Sequence, residues 1–249
     1  MTDPAPFISV RPRLEVAGQA RTDLDDAVLE AVVQLPLAGQ AHAELRLGNW
    51  GAPDSGNREP DYRFDDLALG DTLSISLGEN AQGAVFNGEI TAIEERYGDG
   101  APQLVLLAED ALHHLARVRH SREFEDTALQ QLVQDLADEA GLDSDVQIGE
   151  ASGRWLQMNE SNLGFLLRNQ GYADLPAAGR FYAQAWRFLH GHVVCSDTPG
   201  LRSGREVDLS GVSTRLAGTW RVVDCRHHFD AGSGLYTHLE LNRPDWEPR

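Results

Sequence analysis

Hydrophobic residues recur at every second position through much of the first 110 residues and again near the end of the chain. Between those regions the spacing becomes helical. In "HAELRLG", Ala43, Leu45 and Leu47 alternate with His42, Glu44 and Arg46, and "DTLSISLG" sets Leu73, Ile75 and Leu77 against Thr72, Ser74 and Ser76. A period of two sends successive side chains to opposite faces, so both segments are predicted to be half-buried strands. "AVFNGEITAIEERY" and "PQLVLLAED" read as two more, parted by the turn residues of "GDGAP". Gly48 to Asp66, rich in Gly, Pro and polar residues, is a long loop of the kind that carries function or assembly contacts.

In "FEDTALQQLVQDLADEAGL", Leu129, Leu132, Val133, Leu136, Ala137 and Ala140 form one helical stripe, with Gln131, Asp135, Asp138 and Glu139 on the solvated face. Thr127 and Gln130 have the spacing of a capping box, and Gly141 stands where a helix would end. "DVQIGE" is expected to be a short strand. In "WLQMNESNLGFLLRNQG", Leu163, Leu166 and Leu167 predict a second helix closed by Gly171. Ser161 is placed as its N-cap, and Glu160 beside that end is favoured by the helix dipole. Local backbone chemistry thus accounts for Asn159-Glu160-Ser161-Asn162 without a reaction. The chain ends in "GTWRVVDCRHHFDAGSGLYTHLELNRP", a strand, a Gly-rich turn at Ala231 to Gly234 and a returning strand. Leu235, Thr237, Leu239 and Leu241 share one face of the last strand, opposite Tyr236, His238, Glu240 and Asn242. The order is a β-rich module, a helical connector and a second β-rich module.

Across 249 residues the net charge is −18, from 39 acidic and 21 basic residues, and every basic residue is arginine. Such a surface repels phosphate backbones and anionic lipid, which argues against specific nucleic-acid binding. No run approaches the length of a membrane span, and the N-terminus lacks the pattern of a secretory signal, so no membrane anchor or signal peptide is expected. Cytoplasmic synthesis then favours reduced thiols at Cys195 and Cys225.

Histidine and cysteine gather late in the chain, at His190, His192, Cys195, Cys225, His227, His228 and His238. Pairs two apart on a strand share a face and could ligate zinc or iron, but the spacing matches no established site. Ordinary strand histidines are the favoured reading, with no metal or other cofactor. For hydrolysis the acid pairs would be Glu160 with Asp174 or Asp65 with Asp66, but a glycosidase needs a defined carboxylate separation that sequence does not show. Neither a G-x-S-x-G, an H-E-x-x-H nor a P-loop motif occurs. Trp50, Trp155, Trp186, Trp220 and Trp246 are read as core or interface anchors.

The ordered series "VFNGEITAIEERY", "LVLLAEDALHHLAR", "REFEDTALQQLVQDLADEAGL" and "WLQMNESNLGFLLRNQG" resembles the baseplate hub proteins of contractile tails. That family includes the late control protein D of tailed phages and the first half of VgrG-type spike proteins. Gln157, Asn159, Glu160 and Ser161 are similar to its Asn-Glu-Ser signature, and the final hairpin is similar to the family's last one. Met158 stands where the family has an aromatic residue, and the passage after Gly171 departs from its pattern. The resemblance implies a β-rich α+β protein with two tube-like antiparallel β-barrel domains joined by a small helical connector. These would span residues 1–117 and 178–249, with the connector at 118–177. It further implies a non-enzymatic homotrimer joining a hexameric tail tube to a trimeric spike within a baseplate, assembled in the bacterial cytoplasm. No repeated-strand spike follows Trp246, so a separate spike protein is expected. A tail-associated peptidoglycan hydrolase using acidic residues is the alternative.

Overall fold

Alternation predicts individual strands well but says little about which strands pair, and pairing is where this molecule departs from expectation. The computed structural model describes residues 11–51, 61–78, 83–98, 100–146, 152–173, 189–213 and 216–243, with 170–173 described by backbone alone. In chain order the elements are β1 (Arg13–Val16), β2 (Gln19–Ala20), α1 (Thr22–Ala27), β3 (Val28–Pro36), β4 (His42–Gly48), β5 (Thr72–Ser76), β6 (Phe86–Arg96) and β7 (Gln103–Glu109). There follow α2 (His113–Ala116), β8 (Arg119–Ala128), α3 (Leu129–Glu139), β9 (Ser152–Ser161) and α4 (Asn162–Ala173). The last four strands are β10 (Leu189–Ser196), β11 (Glu206–Leu209), β12 (Gly218–Asp230) and β13 (Gly234–Arg243). The chain divides into two compact units, one drawing on segments ending at Leu37, Asp110 and Leu241, the other centred on Ala111–His190. No described helix is long and apolar enough to cross a membrane.

The first unit is a sheet of eleven strands in the order β10-β13-β12-β3-β4-β7-β6-β5-β1-β2, with β11 also on β12. Every partnership whose register is resolved is antiparallel. Ala43, Leu45 and Leu47 are buried together, as their alternation requires. β1 turns into β2 through Ala17 and Gly18, both at positive φ (51° and 74°), the backbone of a tight two-residue hairpin turn. Gly88 allows close approach of β7, for a Cβ there would overlap the Glu109 carbonyl.

The family resemblance implies two barrel domains. The described strands of the first unit instead form one hydrogen-bonded path, open at both ends, and no closed barrel occurs among the described strands. The cause is β12, whose 13 residues exceed what one neighbour can pair with. Its C-terminal half pairs with β3 from Asp224↔Pro36 to Asp230↔Glu30, and its N-terminal half pairs with β11. The ladder with the β3 side ends at Leu37, whose N–H donates to the Val223 carbonyl at 2.9 Å, and from Val222 onward β12 bonds instead to Gly204 and Arg205 ahead of β11. Gln34 Nε2 donates to the Asp224 carboxylate at 2.6 Å, and Phe229 and Leu235 join the same apolar cluster as Leu14, Val33 and Leu45.

In the second unit β8 and β9 form an antiparallel ribbon. Leu129, Leu132 and Leu136 of α3 and Phe165 of α4 make its core, with Phe124, Trp155 and Leu166 packed against them. α3 begins at Leu129 rather than at a capping box: Thr127 remains in the strand, and its hydroxyl donates to the Glu125 carbonyl at 3.0 Å. Gly141, at φ 69°, follows the helix end as expected. α4 passes through Gly171 to Ala173, and among its described side chains the buried ones are Asn162, Phe165 and Asn169, not the leucine trio; Leu167 is exposed. The expected strand at "DVQIGE" lies largely outside the described residues.

Candidate functional site

Inside the second unit, strand alternation turns Arg122 and Phe124 of β8 and Trp155 and Gln157 of β9 toward the helices. Gln157 is fully buried, so each of its polar atoms needs a partner. Its Oε1 accepts from Arg122 Nε at 2.9 Å, and its Nε2 donates to the Glu160 carbonyl at 3.1 Å and to Asn162 Oδ1 at 3.0 Å. Arg122 extends the network, donating to Asn162 Oδ1 at 2.8 Å and, through both terminal nitrogens, to the Glu139 carboxylate at 2.7 and 2.9 Å. Two strands and two helices are thereby tied through one guanidinium and one carboxamide. The pairing holds the Glu139 carboxyl below its ordinary pKa, chiefly through the Arg122 hydrogen bond. The helical stripe places Glu139 on the solvated face of α3, and no sequence motif marks Arg122. The available signal was the alternation itself, which places Arg122 on the same face as Phe124.

The rest of the signature is local geometry. Ser121 lies opposite both Met158 and Asn159, because the register slips between His120↔Glu160 and Arg122↔Gln157. Asn159 occupies the left-handed region at φ 47°, a conformation Asn tolerates better than most side chains, and the bulge re-aims the chain into α4. Its N–H donates to Ser121 Oγ at 3.0 Å. Ser161 Oγ accepts from Gly164 N at 3.1 Å, the bond of an N-cap. Glu160 accepts from Arg168 Nη2 at 2.6 Å, which keeps its carboxyl below the usual range. A carboxylate held ionised in this way is a poor proton donor. Asp66 is held by Arg21, at 2.8 Å. Asp174 lies outside the described residues.

The late histidines and cysteines separate. Cys225 and His227 face the interior of the sheet unit, whereas His192 and His238 are exposed, and His228 reaches Glu30 at 2.8 Å on the opposite face of β12 from His227. His227 is fully buried, with Nδ1 2.9 Å from Thr237 Oγ1 and Nε2 3.1 Å from the Leu201 carbonyl. Burial, then the nearby Arg202 guanidinium, push its pKa down to about 4, so the ring is neutral at pH 7. Burial also pushes the Cys225 thiol up to about 11. A neutral imidazole and a protonated thiol make a buried polar lock on the loop around Leu201, not an activated nucleophile. Among the tryptophans, Trp220 is core, Trp155 donates to the Thr127 carbonyl at 2.9 Å, and exposed Trp50 meets Tyr62 edge-on at 5.4 Å. Trp186 and Trp246 lie outside the described residues.

No protein-family model matches the sequence, and no curated protein matches it significantly. Solved structures do match. The E. coli c3393 protein, a type VI secretion component with structural similarity to the phage T4 tail proteins gp27 and gp5, superimposes with a TM-score of 0.70 at 13% identity, covering 95% of this chain and 79% of that one. The 43 kDa tail protein of prophage MuSo2 from Shewanella oneidensis gives 0.67 at 11% identity, over 94% and 98% of the two chains. A tail protein from Neisseria meningitidis MC58 gives 0.63 at 11% identity, over 96% and 99%. The chain therefore has the fold shared by phage tail proteins and components of type VI secretion, over nearly its whole length.

Proposed function

We propose that this chain is the structural hub of a contractile tail or injection machine, a homotrimer that joins a hexameric tail tube to a separate trimeric spike and performs no catalysis. The observation that carries the reading is the tail-protein fold itself, built as one sheet from both ends of the chain and open at both edges. In this reading residues 1–117 and 178–249 act as two tube-like modules, and residues 118–177, with Gln157, Asn159, Glu160 and Ser161, form the connector region. Three chains then present six modules to the tube and three equivalent surfaces to the spike, which resolves a symmetry mismatch. Among the described residues the outer edge of β10, eight residues long with Val194 59% exposed, has no partner strand, and in this reading it is offered to the opposite sheet edge of the next copy. Such head-to-tail contacts close into a ring when the rotation allows. The negative charge lets polyanionic cargo pass without adhesion.

The test is co-expression with the tube and spike proteins of one machine, followed by electron microscopy of the complex. The expected density places three copies between tube and spike. Failure of all three proteins to co-assemble, with the chain purifying alone as a monomer, would overturn the reading.

A further inference from the structure

The loop between β10 and β11 crosses the sheet. β10 stands at one edge of the strand order and β5 seven places away, which on a flat sheet would set them about 34 Å apart. Yet Pro199, in that loop, packs so closely on Gly78, just past β5, that a Cβ there would lie 2.6 Å from the proline ring. The sheet is therefore rolled, and residues 197–204 form a strap across the roll. Its ends turn through Asp197 and Gly204, both at positive φ (50° and 81°). Asp197 N donates to the Leu235 carbonyl at 3.0 Å, Ser203 Oγ to the Leu35 carbonyl, and Gly204 N to the Val222 carbonyl at 2.8 Å.

His227 lies beneath the strap. Its Nε2 faces the Leu201 carbonyl at 3.1 Å and Arg202 Nη1 at 3.4 Å. Arg202 Nη1 in turn donates to the Pro199 and Leu201 carbonyls at 2.6 and 2.7 Å, so the strap itself holds the guanidinium against the ring. Nothing else near the ring offsets that charge. β12 contributes the Cys225 thiol, 3.5 Å from Nε2, with Cys195 of β10 acting on that thiol, and β13 contributes the uncharged Thr237. The carboxylate of Asp224 is taken by Gln34. No carboxylate lies in salt-bridge range of His227 among the described residues. Protonation preserves the ring's hydrogen bonds, since Nδ1–H can donate to Thr237 Oγ1 while the Thr237 hydroxyl donates to the Thr198 carbonyl at 3.3 Å. It also sets a second cation beside the first in a dry interior, where like charges repel strongly. His227 is fixed in the β12 ladder, whereas Arg202 rides on a loop. We infer that residues 197–204 are an acid-released strap: protonation of His227 expels Arg202, lifts the strap and uncovers Cys225 while the sheet stays folded. The device lies within one chain and does not depend on the trimeric reading.

An open ring titrates near 6.5 and the closed one near 4, so the open form binds more protons between those values. Opening should become more frequent as pH falls, by about twentyfold from pH 7 to pH 5. Cys225 reads it, because its Sγ lies under the strap, 3.4 Å from the Leu201 carbonyl. The protein is labelled with a pyridyl disulfide that reacts with thiols at acid pH. The rate at Cys225, separated from Cys195 by peptide mass mapping and divided by the rate in urea at the same pH, gives the opening constant. Wild type should lose about twentyfold of its Cys225 protection between pH 7 and pH 5, and His227→Gln less than about twofold. Arg202→Met should give a shallower slope than wild type. Flat wild-type protection, or slopes in the variants as steep as wild type, would overturn the inference; the wild-type profile and Arg202→Met decide it even if His227→Gln fails to fold. Cys225 exposure that rises only in step with hydrogen exchange at the β3 and β4 amides would overturn it too, since that is unfolding of the sheet and not release of the strap.

Discussion

Replacing Gln157 with Leu keeps the side-chain volume roughly constant while deleting three hydrogen bonds at a fully buried position. The partners do not suffer equally. Asn162 Oδ1 still accepts from Arg122 Nη2, and Arg122 keeps both bonds to Glu139. The Glu160 carbonyl and the Arg122 Nε–H are left without these bonds, and a buried group left unsatisfied costs about 1–3 kcal/mol. The expected loss is therefore about 3 kcal/mol, confined to the second unit. Glu160→Gln supplies the contrast: its bond to Arg168 is an ion pair in which the arginine is 52% exposed, worth less than about 1 kcal/mol. Hydrogen exchange at the amides of α3 and α4, in urea titrations of both variants, reads the unit separately from the sheet. A Gln157→Leu protein whose α3 amides stay within about 1 kcal/mol of wild type would refute the clamp.

Three further outcomes follow from other parts of the molecule. Folding lowers the His227 pKa from near 6.5 to about 4, so the unfolded chain binds more protons between those values; stability should be full above pH 6.5 and fall as pH drops toward 4, by about 3 kcal/mol at most. His227→Gln should flatten that limb in a pH series of urea melts, and an equally steep limb in the variant would contradict the assignment. With its thiol pushed to about 11 and buried, Cys225 should resist alkylation in the native protein and react once urea unfolds it, as peptide mass mapping would show. Gly88→Ala should cost about 2–3 kcal/mol by thermal melt, since the added methyl meets the Glu109 backbone, which has no room to yield.

Regular alternation made much of the fold legible. Leu235, Thr237, Leu239 and Leu241 of β13 are buried together, while His238 and Glu240 are exposed, as the period of two requires. β3 resists the same reading because its register slips between Val28 and Glu30, so the buried Val28, Ala31 and Val33 do not alternate evenly. In β12 the buried positions shift from Trp220 and Val222 to Cys225, His227 and Phe229, a change of parity that conceals a strand serving two neighbours. The pairing of β12 with β3 joins residues such as His228 and Glu30, 198 positions apart, and no local pattern records it. The same limit applies to the clamp. Ser161 can be recognised as a cap because its partner is three residues away, but Arg122 and Gln157 meet across 35. Glu160 drew attention as a carboxylate, and only its placement beside Arg168 shows it as half of an ion pair.

The proposed trimer is tested by the native mass of the purified 249-residue chain. Native mass spectrometry at micromolar concentration and moderate salt should show a dominant species of three times the 27.3 kDa chain mass. A single species at the chain mass under those conditions, unchanged when the tube and spike proteins are added, would contradict it.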